Sequence, residues 1–347
     1  MQRPEVFSLF CAVLLSGPSW GQGAVNDFEA SSDIGQISRP GSVSYDSQEQ
    51  TYRVAGSGQN MWADHDDFFF VWRKLSGDFI LRASTEFEGE GAHPHRKMGW
   101  AVRASLEPDS AHVALAVHGD GLTALQFRRL AGGETEEIRS SVADPDVIQL
   151  SRAGNTFRMS AARLGEAFIR DELDGLDLGH EVYVGLFVCS HDEEVTEDGI
   201  FGNVRIVVPA PEDLVQYEDY LGSRLEILDM ETGLRRIVHT TEDSMQAPNW
   251  TPDGTTLIYN RNGLLYQFDL AKGEPKVLDT GFATSNNNDH VLSFDGSRLA
   301  ISHHAEEHDG ESIVYTLPAT GGTPKQVTPR GPSYLHGWSP DGKSLLY

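Results

Sequence analysis

A motif made of Asp-Gly and a short apolar strand occurs three times in the second half of the chain. Its aspartates are Asp253, Asp295 and Asp341, so successive copies are 42 and 46 residues apart. This spacing is the length of one four-stranded β-propeller blade. Asp-Gly suits a tight turn between two strands because glycine readily takes a positive φ. The repeat therefore predicts about three propeller blades.

The stretch before the repeat has a different pattern. From Asp27 to Val208, short runs of alternating apolar and polar residues are separated by Gly, Asp, Asn or Pro, and no long run has a helical period. Runs of period two bounded by turn residues are typical of a β-sandwich. The sequence therefore predicts an all-β chain, a jelly-roll β-sandwich followed by an incomplete β-propeller of about three blades.

Two prolines mark the predicted boundary between these parts. Pro209 and Pro211 are followed by Glu212 and Asp213, which makes a short, stiff and polar stretch typical of a linker. The predicted divisions are a signal peptide at 1–23, a sandwich at 24–208, a linker at 209–219 and a partial propeller at 220–347.

The first residues predict export. An apolar run from Val6 to Leu15 is followed by small and turn residues, which is the pattern of a secretory signal peptide. The run is far shorter than the roughly 20 residues that span a bilayer, so we expect no membrane insertion. Removing Cys11 with the signal leaves Cys189 without a disulfide partner, and we expect it to be a buried strand residue. The predicted location is periplasmic or secreted.

Net charge excludes two classes of partner. The formal charge is −25 at pH 7. Binding to nucleic acid or to anionic lipid depends on clusters of cations, which such a surface lacks. We therefore expect neither nucleic acid nor a membrane surface as a partner.

The Ser-Pro-Asp-Gly motif at this period resembles the TolB-like β-propeller family over roughly 220–347. That family usually has six blades, so the resemblance implies a sequence truncated at its C-terminus, beyond Tyr347. The upstream part resembles the concanavalin A-like lectin or glucanase sandwiches that precede such propellers in some exported bacterial proteins. The segments that carry this second resemblance are 91–99, 118–123 and 184–191.

The blade alignment suggests a first candidate site. The position five residues before each Asp is Pro248, His290 and His336. It begins the innermost strand, at the mouth of a propeller channel, where ligands usually bind. Asp289, His303 and His304 belong to the same candidate site. The candidate ligands are an anionic sugar or a divalent metal, either Ca²⁺ or a transition metal held by histidine. The alternative is that these side chains hydrogen-bond backbone between blades.

The sandwich offers a second candidate site for a glycan. Arg103, His112 and His118 lie on the strand faces opposite the larger apolar residues, and such a polar face forms the saccharide-binding surface of some jelly rolls. Trp62 and Trp72 are candidate stacking platforms, because an indole suits the C–H face of a sugar. The alternative is an ordinary solvated face.

Two charged runs have open interpretations. His93–Lys97 is the one basic run of this acidic domain, and it either holds an anionic ligand or pairs with nearby carboxylates. Asp64–Asp67 is acidic enough for Ca²⁺ but has no recognised calcium-loop spacing, which favours a solvated run of charge.

The functional hypothesis is an exported binding protein. Its sandwich would recognise a glycan or a cell-envelope component, and its propeller would be a platform for a protein or a small ligand. One alternative is a carbohydrate-active enzyme, a metal-dependent lyase or hydrolase with its site at the propeller channel. Another is a structural scaffold of the envelope. The sequence points to no catalytic residue, and the cofactor it suggests is the divalent metal of the first candidate site.

Overall fold

A computed structural model describes residues 23–216 and 218–347. The predicted signal peptide lies outside the described residues, apart from Gly23. The polypeptide divides after Pro209 into two units. The described residues contain β-strands and one 3-10 helix, Glu306–His308, but no α-helix. The protein is therefore all-β, as the sequence predicts.

The first unit contains antiparallel strands. They are β1 (Ala30–Ile34), β2 (Ser42–Asp46), β3 (Thr51–Gly58), β4 (Met61–Trp62), β5 (His65–Asp66), β6 (Phe68–Ser76), β7 (Phe79–Phe87), β8 (Lys97–Arg103), β9 (His112–His118), β10 (Thr123–Arg128), β11 (Thr135–Arg139), β12 (Val147–Ala153), β13 (Thr156–Ala162), β14 (Ile169–Leu173), β15 (Glu181–Cys189) and β16 (Asp192–Val207).

These strands form a two-sheet sandwich. One seven-stranded sheet has the order β1-β6-β15-β8-β9-β10-β11, and the other has the order β14-β13-β12-β7-β16-β3-β2. Phe79 and Leu81 of β7 pack with Trp100 of β8 and Leu115 of β9 in one buried cluster. The period-two pattern places these residues on the inner face, since alternate side chains of a strand point to opposite sides. Cys189 is fully buried, as predicted.

The other face of the first sheet is also covered. The hairpin of β4 and β5 lies over it, and Met61 packs there with Phe68 and Ala114. Every residue of β8, β9 and β10 is consequently buried. The sequence-based expectation of an outward, solvated polar face on these strands is wrong, because the alternation shows only that the second face is polar and small, not what covers it.

The second unit contains short antiparallel sheets. Its strands are β17 (Ser223–Leu228), β18 (Arg235–Thr241), β19 (Gln246–Trp250), β20 (Thr256–Arg261), β21 (Leu264–Asp269), β22 (Glu274–Val277), β23 (Asn286–Leu292), β24 (Arg298–His304), β25 (Ser312–Pro318), β26 (Lys325–Gln326), β27 (Gly337–Trp338) and β28 (Leu345–Leu346). They pair in sequence order as β17-β18, β19-β20-β21-β22, β23-β24-β25-β26 and β27-β28.

The Asp-Gly repeats lie at the turns between β19 and β20, β23 and β24, and β27 and β28. Gly296 has a φ of +69°. Asp295 accepts hydrogen bonds from the Ser293 hydroxyl (2.6 Å) and from the backbone N–H of Ser297 (3.0 Å). These bonds lower the pKa of Asp295 to about 2. The predicted turns are confirmed, and each complete four-stranded sheet has the meander topology of a propeller blade.

Candidate functional site

His290 connects two neighbouring sheets of the second unit. It lies on β23, is almost fully buried, and donates from Nε2 to the carbonyl oxygen of Ile258 on β20 (3.2 Å). Asn249 of β19 donates in return to the carbonyl oxygen of His290 (3.0 Å). Burial lowers the pKa of His290 below its usual value, so the ring is neutral at pH 7. These contacts agree with the alternative in which the histidine hydrogen-bonds backbone between sheets.

Within the described residues, the other predicted channel residues form no metal-ligand set with His290, although the charge of the adjacent Asp289 acts to raise the His290 pKa. Asp289 is half-buried, and His336 is exposed just before β27. Only His303 and His304, at the end of β24, line a common pocket. Among residues 23–216 and 218–347, no three His, Cys, Asp or Glu side chains are placed to hold a metal ion. The metal interpretation therefore has no ligand set in the described part of the chain.

The pocket around His303 has a volume of about 240 Å³. The loop between β22 and β23, the end of β24 and the 3-10 helix that follows supply its walls. Its lining residues are Phe282, Thr284, Ser285, His303, His304, Glu306 and Glu307. The loop is held in shape because the Thr280 hydroxyl donates to the Ala283 carbonyl oxygen (2.6 Å) and Asp279 accepts from the Gly281 N–H (2.9 Å).

Phe282 presents an aromatic surface to this pocket. Its side chain is 50% exposed although it is large and apolar. Its ring contacts Tyr315 edge-to-face at a centroid distance of 5.5 Å and lies 6.1 Å from the His303 ring. Tyr315 in turn donates to Glu307 (3.3 Å). The aromatic face is thus fixed by packing on one side and open to solvent on the other.

The polar groups of the pocket offer both donors and acceptors. His303 accepts the Ser285 N–H at Nδ1 (3.3 Å), which leaves Nε2–H as the donor of the neutral ring. Burial lowers its pKa, so this neutral form prevails at pH 7. Glu306 and Glu307 are exposed carboxylate acceptors, and no Lys or Arg lines the pocket. The pocket therefore favours a neutral, hydroxyl-rich ligand or a cation and disfavours an anion.

The predicted glycan-binding residues of the sandwich are mostly buried. Arg103 and His112 are fully buried, and His118 is 3% exposed. Trp72 is partly buried, with its ring edge-to-face against Tyr183 (5.0 Å). Trp62 is 39% exposed. The structure therefore corrects the expectation of an open Arg103, His112 and His118 surface, and Trp62 is the most exposed of these five residues.

Asp66 explains why Arg103 and His112 are inaccessible. Its carboxylate accepts from Arg103 Nη1 (2.6 Å) and from Arg128 Nη1 (3.0 Å) and Nη2 (2.9 Å), and it faces His112 Nδ1 at 3.6 Å. Burial opposes ionisation, but the facing His112, Arg103 and Arg128 outweigh it and hold the pKa of Asp66 below its usual value. The expectation that Asp64–Asp67 is a solvated run is wrong for Asp66, which is an internal counter-ion.

Sequence reasoning missed Phe282, Glu306 and Glu307. None belongs to the repeated motif, and each lies in a connection whose shape depends on tertiary packing. A usable signal was the apolar Phe282 within a loop of small and polar residues, because an exposed aromatic residue there needs a reason.

Comparison with known proteins gives limited coverage. No family model matches the chain. An uncharacterized protein of Agrobacterium fabrum, Atu1656, is 51% identical over 126 residues, which are 36% of this chain and 42% of that protein. A solved structure from Agrobacterium tumefaciens, provisionally designated TolB, is 51% identical over 35% of this chain and 43% of its own, with a TM-score of 0.33. The carbohydrate-binding module CBM66 of Bacillus subtilis is 15% identical over 49% of this chain and 92% of that module, with a TM-score of 0.33. The chain thus spans less than half the length of its 51%-identical relatives.

Proposed function

We propose that this chain is an exported, envelope-associated binding protein whose second unit binds a neutral saccharide in the Phe282 pocket. The observation that carries the proposal is the half-exposed Phe282 ring beside His303, Glu306 and Glu307. The predicted signal peptide and the TolB designation of a relative support a periplasmic or secreted location. In the described residues no helix is long and apolar enough to cross a membrane.

The chemistry of the pocket matches a sugar at three points. The open face of Phe282 suits the C–H surface of a pyranose ring. The carboxylates of Glu306 and Glu307 accept from sugar hydroxyls, and charged acceptors make stronger hydrogen bonds than neutral ones. The Nε2–H of His303, which lines the same pocket, supplies a donor. A ligand with both donors and acceptors around an apolar face satisfies all three groups.

The charge of the pocket narrows the class of sugar. Glu306 and Glu307 repel a uronate or a phosphorylated sugar, and no lining cation compensates them. We therefore expect neutral hexose or pentose units to bind more tightly than their acidic counterparts. A cationic amino sugar would also be accepted by these carboxylates.

Glycan-array screening followed by calorimetry tests the proposal. Phe282→Ala removes the aromatic face, and Phe294→Ala is a matched control because Phe294 is an exposed phenylalanine of the same unit outside the pocket. We expect Phe282→Ala to weaken binding of the best neutral glycan by roughly tenfold or more, which is about 1.4 kcal/mol. Phe294→Ala should bind like the wild type. An array without hits, or hits that both variants retain equally, would refute the proposal.

A further inference from the structure

Four histidine rings of the first unit form one cluster. The ring centroids of His93 and His191 are 4.2 Å apart, and those of His95 and His191 are 5.7 Å apart. His95 lies 5.5 Å from His93 and 6.1 Å from His118. The cluster contains two of the five residues of the predicted basic run His93–Lys97 together with two histidines that are distant in sequence.

Strand pairing brings these residues together. Lys97 begins β8, where it pairs with His118 at the end of β9 and with Cys189 at the end of β15. The turn after Cys189 carries His191, and the loop before β8 carries His93 and His95. All four rings therefore meet at one end of β15, β8 and β9.

The loop that carries His93 and His95 is anchored on both sides. Arg96 donates to Glu197 (2.6 Å) and to the carbonyl oxygen of Gly89 (2.8 Å). The turn after β9 is bound to the same loop, because Gly119 N–H donates to the Arg96 carbonyl oxygen (2.9 Å) and Asp120 N–H to that of Pro94 (2.8 Å). The cluster is thus pre-organised.

Lys97 is a buried cation close enough to act on the rings of His118 and His191. Lys97 is 2% exposed, and its ammonium donates to the amide oxygens of Asn60 (2.9 Å) and Gln126 (3.3 Å). Within the described residues it forms an ion pair with no carboxylate. Burial lowers the pKa of Lys97. The ammonium is hydrogen-bonded only to neutral groups, and the Asp66 and Glu137 carboxylates act on it through space without an ion pair, so it adds to the positive potential around it.

The rings of His118 and His191 have lowered pKa values and are surrounded by cationic or protonatable groups. Burial and then Lys97 lower the pKa of His118 to about 4, and burial and then His93 lower that of His191 to about 4. Asp120 is the facing carboxylate, 3.7 Å from His95 Nδ1. The side chain of His95 is 51% exposed, so solvent reaches the cluster from that side.

The hydrogen bond at His93 favours an anion over a metal ion. His93 accepts the His95 N–H at Nδ1 (3.0 Å), so its Nε2 carries hydrogen and cannot ligate a metal in the neutral ring. His118 donates from Nδ1 to the Leu122 carbonyl oxygen (3.0 Å), so its Nε2 can donate to an anion only after the ring takes up a proton. The buried Nδ1 of His191 has no hydrogen-bond partner. The ammonium of Lys97 repels a metal cation, and the described residues contain no group of side chains arranged for one.

We propose that His93, His95, His118 and His191, backed by Lys97, bind an oxyanion, the carboxylate of a uronic acid or a phosphate group. The anion supplies the missing negative charge, and one or more imidazoles take up a proton when it binds. This site and the Phe282 pocket lie in different units, so the failure of one proposal leaves the other unaffected.

Nuclear magnetic resonance of the histidine side chains, on the full chain, tests the proposal. Inorganic phosphate and glucuronate are titrated separately against sodium chloride of equal ionic strength, at pH 7.5 and 5.5. We expect saturable shifts of the four imidazoles with phosphate, glucuronate or both. If glucuronate binds, it should bind at least tenfold more tightly at pH 5.5 than at pH 7.5. Saturation by glucuronate alone identifies a uronate site, saturation by phosphate alone a phosphate site, and both support the shared chemistry.

Variants separate the site from a general charge effect. His95→Gln changes the exposed ring and His118→Gln a buried one, so the first remains informative if the second does not fold. His180→Gln is the control, since His180 is exposed on another loop of the same unit. Both cluster variants should weaken binding at least fivefold and the control should not. Shifts no larger than those with chloride, equal binding by His95→Gln, or saturation by Zn²⁺ in place of the anions would overturn the proposal.

Discussion

Asp66 carries a fully buried negative charge in the first unit. Its carboxylate forms ion pairs with the guanidinium groups of Arg103 and Arg128, and all three side chains are fully buried. Asp66→Asn removes the only negative charge of this group and keeps its size. Removing one partner of a buried ion pair costs about 3–5 kcal/mol, because the remaining charge is buried without compensation. Since two cations lose their partner here, we expect the loss of unfolding free energy to reach at least this range.

The assay must report on the first unit alone, because the chain has two units and one global transition cannot be assumed. Amide hydrogen exchange of peptides from β8 to β10 gives a local unfolding free energy. The control is Glu88→Gln, which removes one of the two carboxylate partners of Arg53, in an ion pair whose side chains are both about half exposed. Such a pair is worth about 0–1 kcal/mol. A loss below about 1 kcal/mol for Asp66→Asn, or one equal to that of the control, would refute the assignment of Asp66 as an internal counter-ion.

Three further outcomes follow from the structure. Burial lowers the pKa of His112 and His118 to about 4, so the unfolding free energy of the first unit should be full above pH 6.5 and fall between pH 6.5 and 4, by up to about 3 kcal/mol for each residue. Amide hydrogen exchange of peptides from β8 to β10 at pH 7 and 4.5 measures this loss, and an unchanged unfolding free energy contradicts it. His290→Ala should destabilise the second unit by about 1–3 kcal/mol, because it leaves the buried Ile258 carbonyl without its donor; calorimetry showing no change would argue against that bond. Gly296→Ala should lower the unfolding free energy more than Gly254→Ala in the same calorimetry. Both glycines have a φ near +70°, but an added Cβ would approach the Pro252 side chain at 2.6 Å at Gly296 and nothing within 4 Å at Gly254. Equal losses would show that backbone strain alone determines the effect.

The pattern of residues along the chain predicts the strands and turns well, because a strand or a turn depends mainly on residues that are close together in the sequence. The period of two placed Phe79, Leu81 and Trp100 in the core, and Asp-Gly placed the turns of the second unit. The full propeller ring stays a prediction, as do the domain bounds and the signal peptide. The predicted signal peptide lies outside the described residues, apart from Gly23.

The sites depend on long-range contacts, which the pattern of one strand does not contain. Alternation identified Arg103 and His112 as a polar face, but the hairpin with Asp66 that covers this face lies 37 or more residues earlier in the sequence. His191 joins His93 only because β15 pairs with β8. Phe282 reaches its pocket through the packing of Tyr315. Single-strand periodicity therefore found polar residues without showing which of them solvent reaches.

Hydrogen exchange of the full chain with and without the best-binding neutral glycan tests the central claim most directly. Binding at the Phe282 pocket predicts slower exchange in peptides that cover 280–286 and 302–308, and unchanged exchange in the first unit. Protection confined to the strands of the first unit, or no protection at a saturating glycan concentration, would contradict it.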